Sequence, residues 1–126
     1  MNRDELKMRL KQFALRVIKL VDNMPKTRSG HALANQIIRS GTSPYANYCA
    51  ACIAKSEKDF LNKLKMVEEE LDETGQWLEL IMDTEKLPHN RVQPLYEESQ
   101  ELQKIIASSI LTMKRKLGEY PLPPNK

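Results

Sequence analysis

Glycine is scarce, with four among 126 residues, and no internal repeat is evident. Collagen-like and disordered classes are excluded on that ground. No apolar run approaches the roughly 20 residues of a membrane span, so no membrane contact is expected. The opening Met1-Asn2-Arg3-Asp4-Glu5 lacks the apolar core of a secretory signal, and the expected location is cytoplasmic. There are only two cysteines, Cys49 and Cys52. Inside a helix their spacing would strain a disulfide, so free thiols in a reducing compartment are expected. Redox use of a Cys-x-x-Cys pair normally needs a strand before it, and no segment alternates as a strand does. Zinc needs four ligands, and only His31 and His89 remain as soft donors, on separate segments. A di-iron bundle needs Glu-x-x-His, but Arg28 and Lys86 stand three residues before the two histidines. Phosphate-binding loops, dinucleotide turns and nucleophile elbows are missing too. The chain is therefore expected to be non-enzymatic, with no catalytic residue, no metal and no cofactor.

What is present is helical periodicity. Leu6, Leu10, Phe13, Val17, Leu20 and Met24 recur at threes and fours, which predicts a first helix over residues 4–23, ended by Pro25. Thr27 and Ser29 are candidate caps for a second, whose inner face holds Leu33, Ile37, Tyr48 and Ala51. Gly41 and Pro44 interrupt it. One helix kinked at Pro44 matches its neighbours in length better than two helices separated there. Ser56-Glu57-Lys58-Asp59 resembles a capping box, and Phe60, Leu64, Val67, Leu71, Thr74, Leu78 and Met82 form the third stripe. The fourth begins near Asn90 and carries Leu95, Ser99, Leu102, Ile106, Ser109, Met113 and Leu117, with Gly118 as its stop. The expected fold is all-α, an antiparallel up-and-down four-helix bundle over residues 1–118, followed by a loose proline-rich tail at 119–126.

Two surface features remain. Residues 1–28 hold eight Lys/Arg against three acids, whereas residues 56–87 hold four against ten. The cations Arg3, Lys7, Arg9, Lys11, Arg16, Lys19, Lys26 and Arg28 are candidate nucleic-acid contacts, although helical projection spreads them widely. Glu68, Asp72, Glu79 and Asp83 line a flank of the third helix and read as a solvated face. Several helices also carry apolar residues away from their core stripes: Met8 and Leu15, Ile38 and Tyr45, then Met66, Trp77 and Leu80. Trp is enriched at protein contacts, so these residues are the candidate oligomer interface.

The run Arg39-Ser40-Gly41-Thr42-Ser43-Pro44-Tyr45-Ala46-Asn47-Tyr48 resembles the bacterial "four helix bundle protein" family, which includes proteins encoded in intervening sequences of the large ribosomal RNA gene. The likeness resumes at Lys55-Ser56-Glu57-Lys58-Asp59-Phe60 and continues through Val67-Glu68-Glu69-Glu70 to Trp77-Leu78-Glu79-Leu80. The resemblance implies a homopentamer around a central channel and no catalysis. A related branch, the accessory protein of diversity-generating retroelements, binds nucleic acid, so association with RNA or DNA is implied as well. A ring that recruits another protein is the alternative. Within the motif, the small residues from Ser40 to Ser43 permit close helix approach. Their hydroxyls, and Asn47, are expected to hold carbonyls near Pro44. Arg39 is expected to meet Asp72 or Glu68.

Overall fold

The computed structural model describes residues 1–118; the segment expected to be a loose tail lies outside the described residues. Four helices follow one another: α1 (Arg3–Asp22), α2 (Arg28–Cys52), α3 (Glu57–Asp83) and α4 (His89–Lys116). Short links make neighbours antiparallel, giving the expected bundle. Each start has a local cause except the last. Asn2 accepts from the Glu5 amide at 2.8 Å while Glu5 accepts from the Asn2 amide, a reciprocal cap that composition alone did not flag. Thr27 caps α2 through Gly30 N–H, and Ser56 caps α3 through Asp59 N–H at 3.0 Å. The α4 N-terminus, preceded by Pro88, has no side-chain cap.

The α3–α4 link is a Schellman turn. Lys86 N–H reaches the Ile81 carbonyl, Glu85 N–H reaches that of Met82, and Glu85 takes φ +55°. Glycine usually fills that left-handed position.

The α1 stripe from Leu6 to Met24 is buried throughout, as are Phe60, Leu64, Val67, Leu71, Thr74 and Leu78 of α3. The core is wider than the stripes. Leu61, Ile81 and Val92 are fully enclosed as well. α3 packs extensively on both α2 and α4, so two adjacent flanks of that helix are covered rather than one. By contrast α1 lies along α2 but touches α4 only thinly, and the diagonal pairs α1–α3 and α2–α4 make no close backbone approach.

Helix α2 is continuous through Gly41 and Pro44; the bend expected at Pro44 is not confirmed. The small-residue motif does what small residues permit. A methyl group at Gly41 would lie 2.7 Å from both γ-carbons of Val17, so α1 and α2 approach closely there. Ser40 and Thr74 are fully buried and hydrogen-bonded to each other at 3.0 Å, with Thr74 also 2.7 Å from the Glu70 carbonyl. This pair joins α2 to α3 by a polar contact inside the core, where an unmatched hydroxyl would be costly.

Candidate nucleic-acid and self-association surfaces

The basic residues of α1 do not act as one set. Arg9 makes a two-pronged ion pair with Glu98 of α4, both N–O distances 2.7 Å. The hydrogen bond to Glu98 raises the Arg9 pKa further above its usual value. The guanidinium is committed to holding α1 against α4, so Arg9 leaves the candidate phosphate contacts. Arg3 stands over the Phe60 ring, 4.3 Å from its centre, a cation–π contact that closes one end of the bundle. Lys11, Lys26 and Arg28 are exposed and scattered, and Lys7 is half-buried.

Only Arg16 and Lys19 come together, and a residue from far along the chain joins them. A cleft of about 260 Å³ opens where α1 and α4 part, lined by Arg16, Lys19, Leu20, Asn23, Leu87, Arg91 and Leu95. Arg91 was not among the sequence candidates. Its one signal was a cation in the first turn of a helix, where the dipole disfavours positive charge.

The apolar candidates also divide. Met8 and Leu15 are about half exposed on the outer face of α1, joined there by Ile18, and Met66 and Leu80 are similarly uncovered on α3. On a 100° wheel Met66, Trp77 and Leu80 span about 60°. Trp77 itself is half-buried against the core, and its indole N–H donates to Glu73 at 3.0 Å. Ile38 and Tyr45 are half-buried too. The Tyr45 phenol is held above its ordinary pKa by a hydrogen bond with the Cys49 thiol. Both cysteines are free.

Three expectations for the motif need correction. Arg39 pairs with Glu70 at 3.1 Å and with Glu73, not with Asp72 or Glu68. Asp72 instead accepts from Gln76 and from Gln103 of α4. Its position on α3 turns it to the α4 side, while Glu70 and Glu73 face α2. Asn47 donates to the Ser43 hydroxyl at 2.9 Å rather than to a carbonyl. The Thr42 hydroxyl bonds the Ile38 carbonyl at 2.6 Å, one turn back, while the carbonyl that Pro44 deprives of a donor is that of Ser40.

Among the described residues no group of three or more His, Cys, Asp or Glu side chains gathers as metal ligands would. Among the described residues no helix is long and apolar enough to cross a membrane.

A sequentially wound helical bundle with uncovered apolar faces and one cationic cleft defines a small helical module. Residues 5–108 match the family described as 23S rRNA-intervening sequence protein, and the chain belongs to that family. A crystal structure from Bacteroides thetaiotaomicron, described as a protein of unknown function from the S23 ribosomal protein family, is similar at 34% identity with a TM-score of 0.79. The match covers 83% of this chain and 97% of that one. No functionally curated protein matches the chain.

Proposed function

We propose that this protein is a non-enzymatic helical module that assembles with itself, as a homopentamer, and associates with RNA or DNA. One observation carries the self-association. Met8, Leu15 and Ile18 on α1, and Met66 and Leu80 on α3, remain uncovered although the core is already complete without them. Helices α1 and α3 are diagonal in the bundle, so the two faces point in different directions. Two unlike apolar faces on one protomer suit a head-to-tail contact, and head-to-tail contacts form a ring when the rotation between copies closes. Five as the number of copies rests on the family resemblance.

Nucleic-acid association is supported by the surplus of cations on α1 and by the family's connection with ribosomal RNA. In a ring, five weak basic patches act together, so modest local affinity multiplies. Recruitment of another polypeptide is the second reading, favoured by the acid-rich α3 lying beside Met66 and Leu80.

Sedimentation equilibrium tests the assembly. Leu15→Glu and Leu80→Glu should each give monomers. Mixed one to one, they should form a dimer through the single intact contact that remains. A wild-type monomer at working concentration, or two single mutants that still form full rings, would sink the proposal.

A further inference from the structure

We infer that the cleft between α1 and α4 is a phosphate-binding site, with Arg16, Lys19 and Arg91 as its cationic wall and Leu20, Leu87 and Leu95 as its apolar floor. The inference deepens the nucleic-acid reading, on which it rests for its larger ligand. Three like charges from two helices meet at one opening without an acid among the lining residues. Some cations elsewhere are compensated, Arg9 by Glu98, Arg39 by Glu70 and Glu73, Lys116 by Glu57, while the exposed Lys11, Lys26 and Arg28 do not line this cleft. Arg16, Lys19 and Arg91 have no ion-pair partner among the described residues. Convergent, uncompensated charge costs free energy in the unliganded protein, and an anion seated among the three would relieve it.

The position of Arg91 adds a second argument. It lies in the first turn of α4, a helix end with neither a capping side chain nor an acid in that turn. Both the guanidinium and the helix end attract negative charge there. The end of α1 that borders the cleft would oppose this through its carbonyls, but three of the last four are occupied. The Leu20 and Val21 carbonyls accept from the Asn23 and Met24 amides, and that of Lys19 accepts from the Asn23 side chain at 2.9 Å. Asp22, the nearby acid, lines a different hollow, beside His31 and Asn35.

The chemistry is that of a phosphate ester whose attached group has an apolar surface. Arginine grips phosphate with a two-pronged fork, and leucines cover the face of a base or similar ring. The cleft is open at the surface, so either a free nucleotide or the end of a strand can supply the phosphate.

The test uses the full chain, with adenosine monophosphate as one probe and a 5′-phosphorylated single-stranded RNA as the other, titrated by calorimetry and by fluorescence anisotropy. Arg91→Ala should weaken binding of either probe about tenfold or more, as expected for a hydrogen bond to a charged group. For RNA it should also flatten the salt dependence by about 0.7 per lost contact. Lys104→Ala removes the same charge about 20 Å along α4 and should leave both affinities unchanged. Arg91 is exposed, so a melting curve matching wild type is expected to accompany the loss. If Arg91→Ala and Lys104→Ala weaken binding equally, or if neither probe binds, the site is overturned. RNA binding untouched by Arg91→Ala also overturns the site while sparing the nucleic-acid reading. Nucleotide binding without RNA binding upholds the site and removes that reading.

Discussion

Gly41→Ala reads the closeness of α1 and α2 through the sign of its effect. In an exposed or loosely packed helix, alanine in place of glycine stabilises by about 1 kcal/mol, because it restricts the unfolded chain. At Gly41 the added methyl would sit 2.7 Å from both γ-carbons of Val17. That is about 1 Å inside an ordinary carbon–carbon contact. Val17 is fully buried, and its β-branched side chain has essentially one rotamer in a helix, so it has nowhere to turn. Overpacking of this kind costs about 1–3 kcal/mol. The propensity gain offsets part of it, leaving a net loss of about 1 kcal/mol and a Tm lower by about 4 °C for a chain of this size. Differential scanning calorimetry at fixed protomer concentration is the assay, since assembly makes Tm concentration-dependent. A double-mutant cycle sharpens it. Val17→Ala alone should cost about 2 kcal/mol by leaving a cavity. Combined with Gly41→Ala, the new methyl enters that space, so the double variant should lose less than the sum by about 1 kcal/mol. A Tm that rises on Gly41→Ala, or strictly additive losses, would refute the close approach.

Other expected outcomes concern separate features. Glu85→Gly, at the left-handed position of the α3–α4 turn, should stabilise by about 0.5–1 kcal/mol in urea unfolding; a loss would mean the turn is built otherwise. Thr74→Val strips the Ser40 hydroxyl of its buried partner and should cost about 1–3 kcal/mol, with Ser40→Ala in the same chain restoring part of it. Burial pushes the Tyr48 phenol up to about 12, against about 10 in the unfolded chain. The folded state disfavours the phenolate, so this contribution is level below pH 10 and is lost as pH rises from 10 toward 12. Tyr48→Phe should flatten that alkaline decline in Tm, and an unchanged decline would assign it to other groups. Glu98→Gln breaks the two-pronged pair with Arg9 and should cost about 1 kcal/mol, with amide exchange in α1 rising most because α4 holds that helix thinly.

The division between sequence and tertiary structure follows from what each can encode. Leu6 to Met24 and Phe60 to Leu78 showed their burial by spacing alone, because a 3.6-residue period fixes angular position within one helix. Caps and breakers at Thr27, Ser56 and Pro25 worked similarly, since their partners lie within one turn. Family membership also rested on local runs of residues. What a period cannot carry is how one helix is rotated against the next, and the missed core residues and ion-pair partners were of that kind. Leu61 and Ile81 are buried because α3 is covered by two neighbours. Arg39 chooses Glu70 and Glu73 over Asp72 because of the face α3 turns to α2. Arg91 meets Arg16 and Lys19 only once α4 has folded back beside α1, and no local pattern links positions so far apart in the chain. The sequence by itself determined four amphipathic helices, their order and most of their core. Only tertiary packing, set by side-chain volumes such as Val17 against Gly41, decided which charges were neutralised and which were left gathered at the cleft.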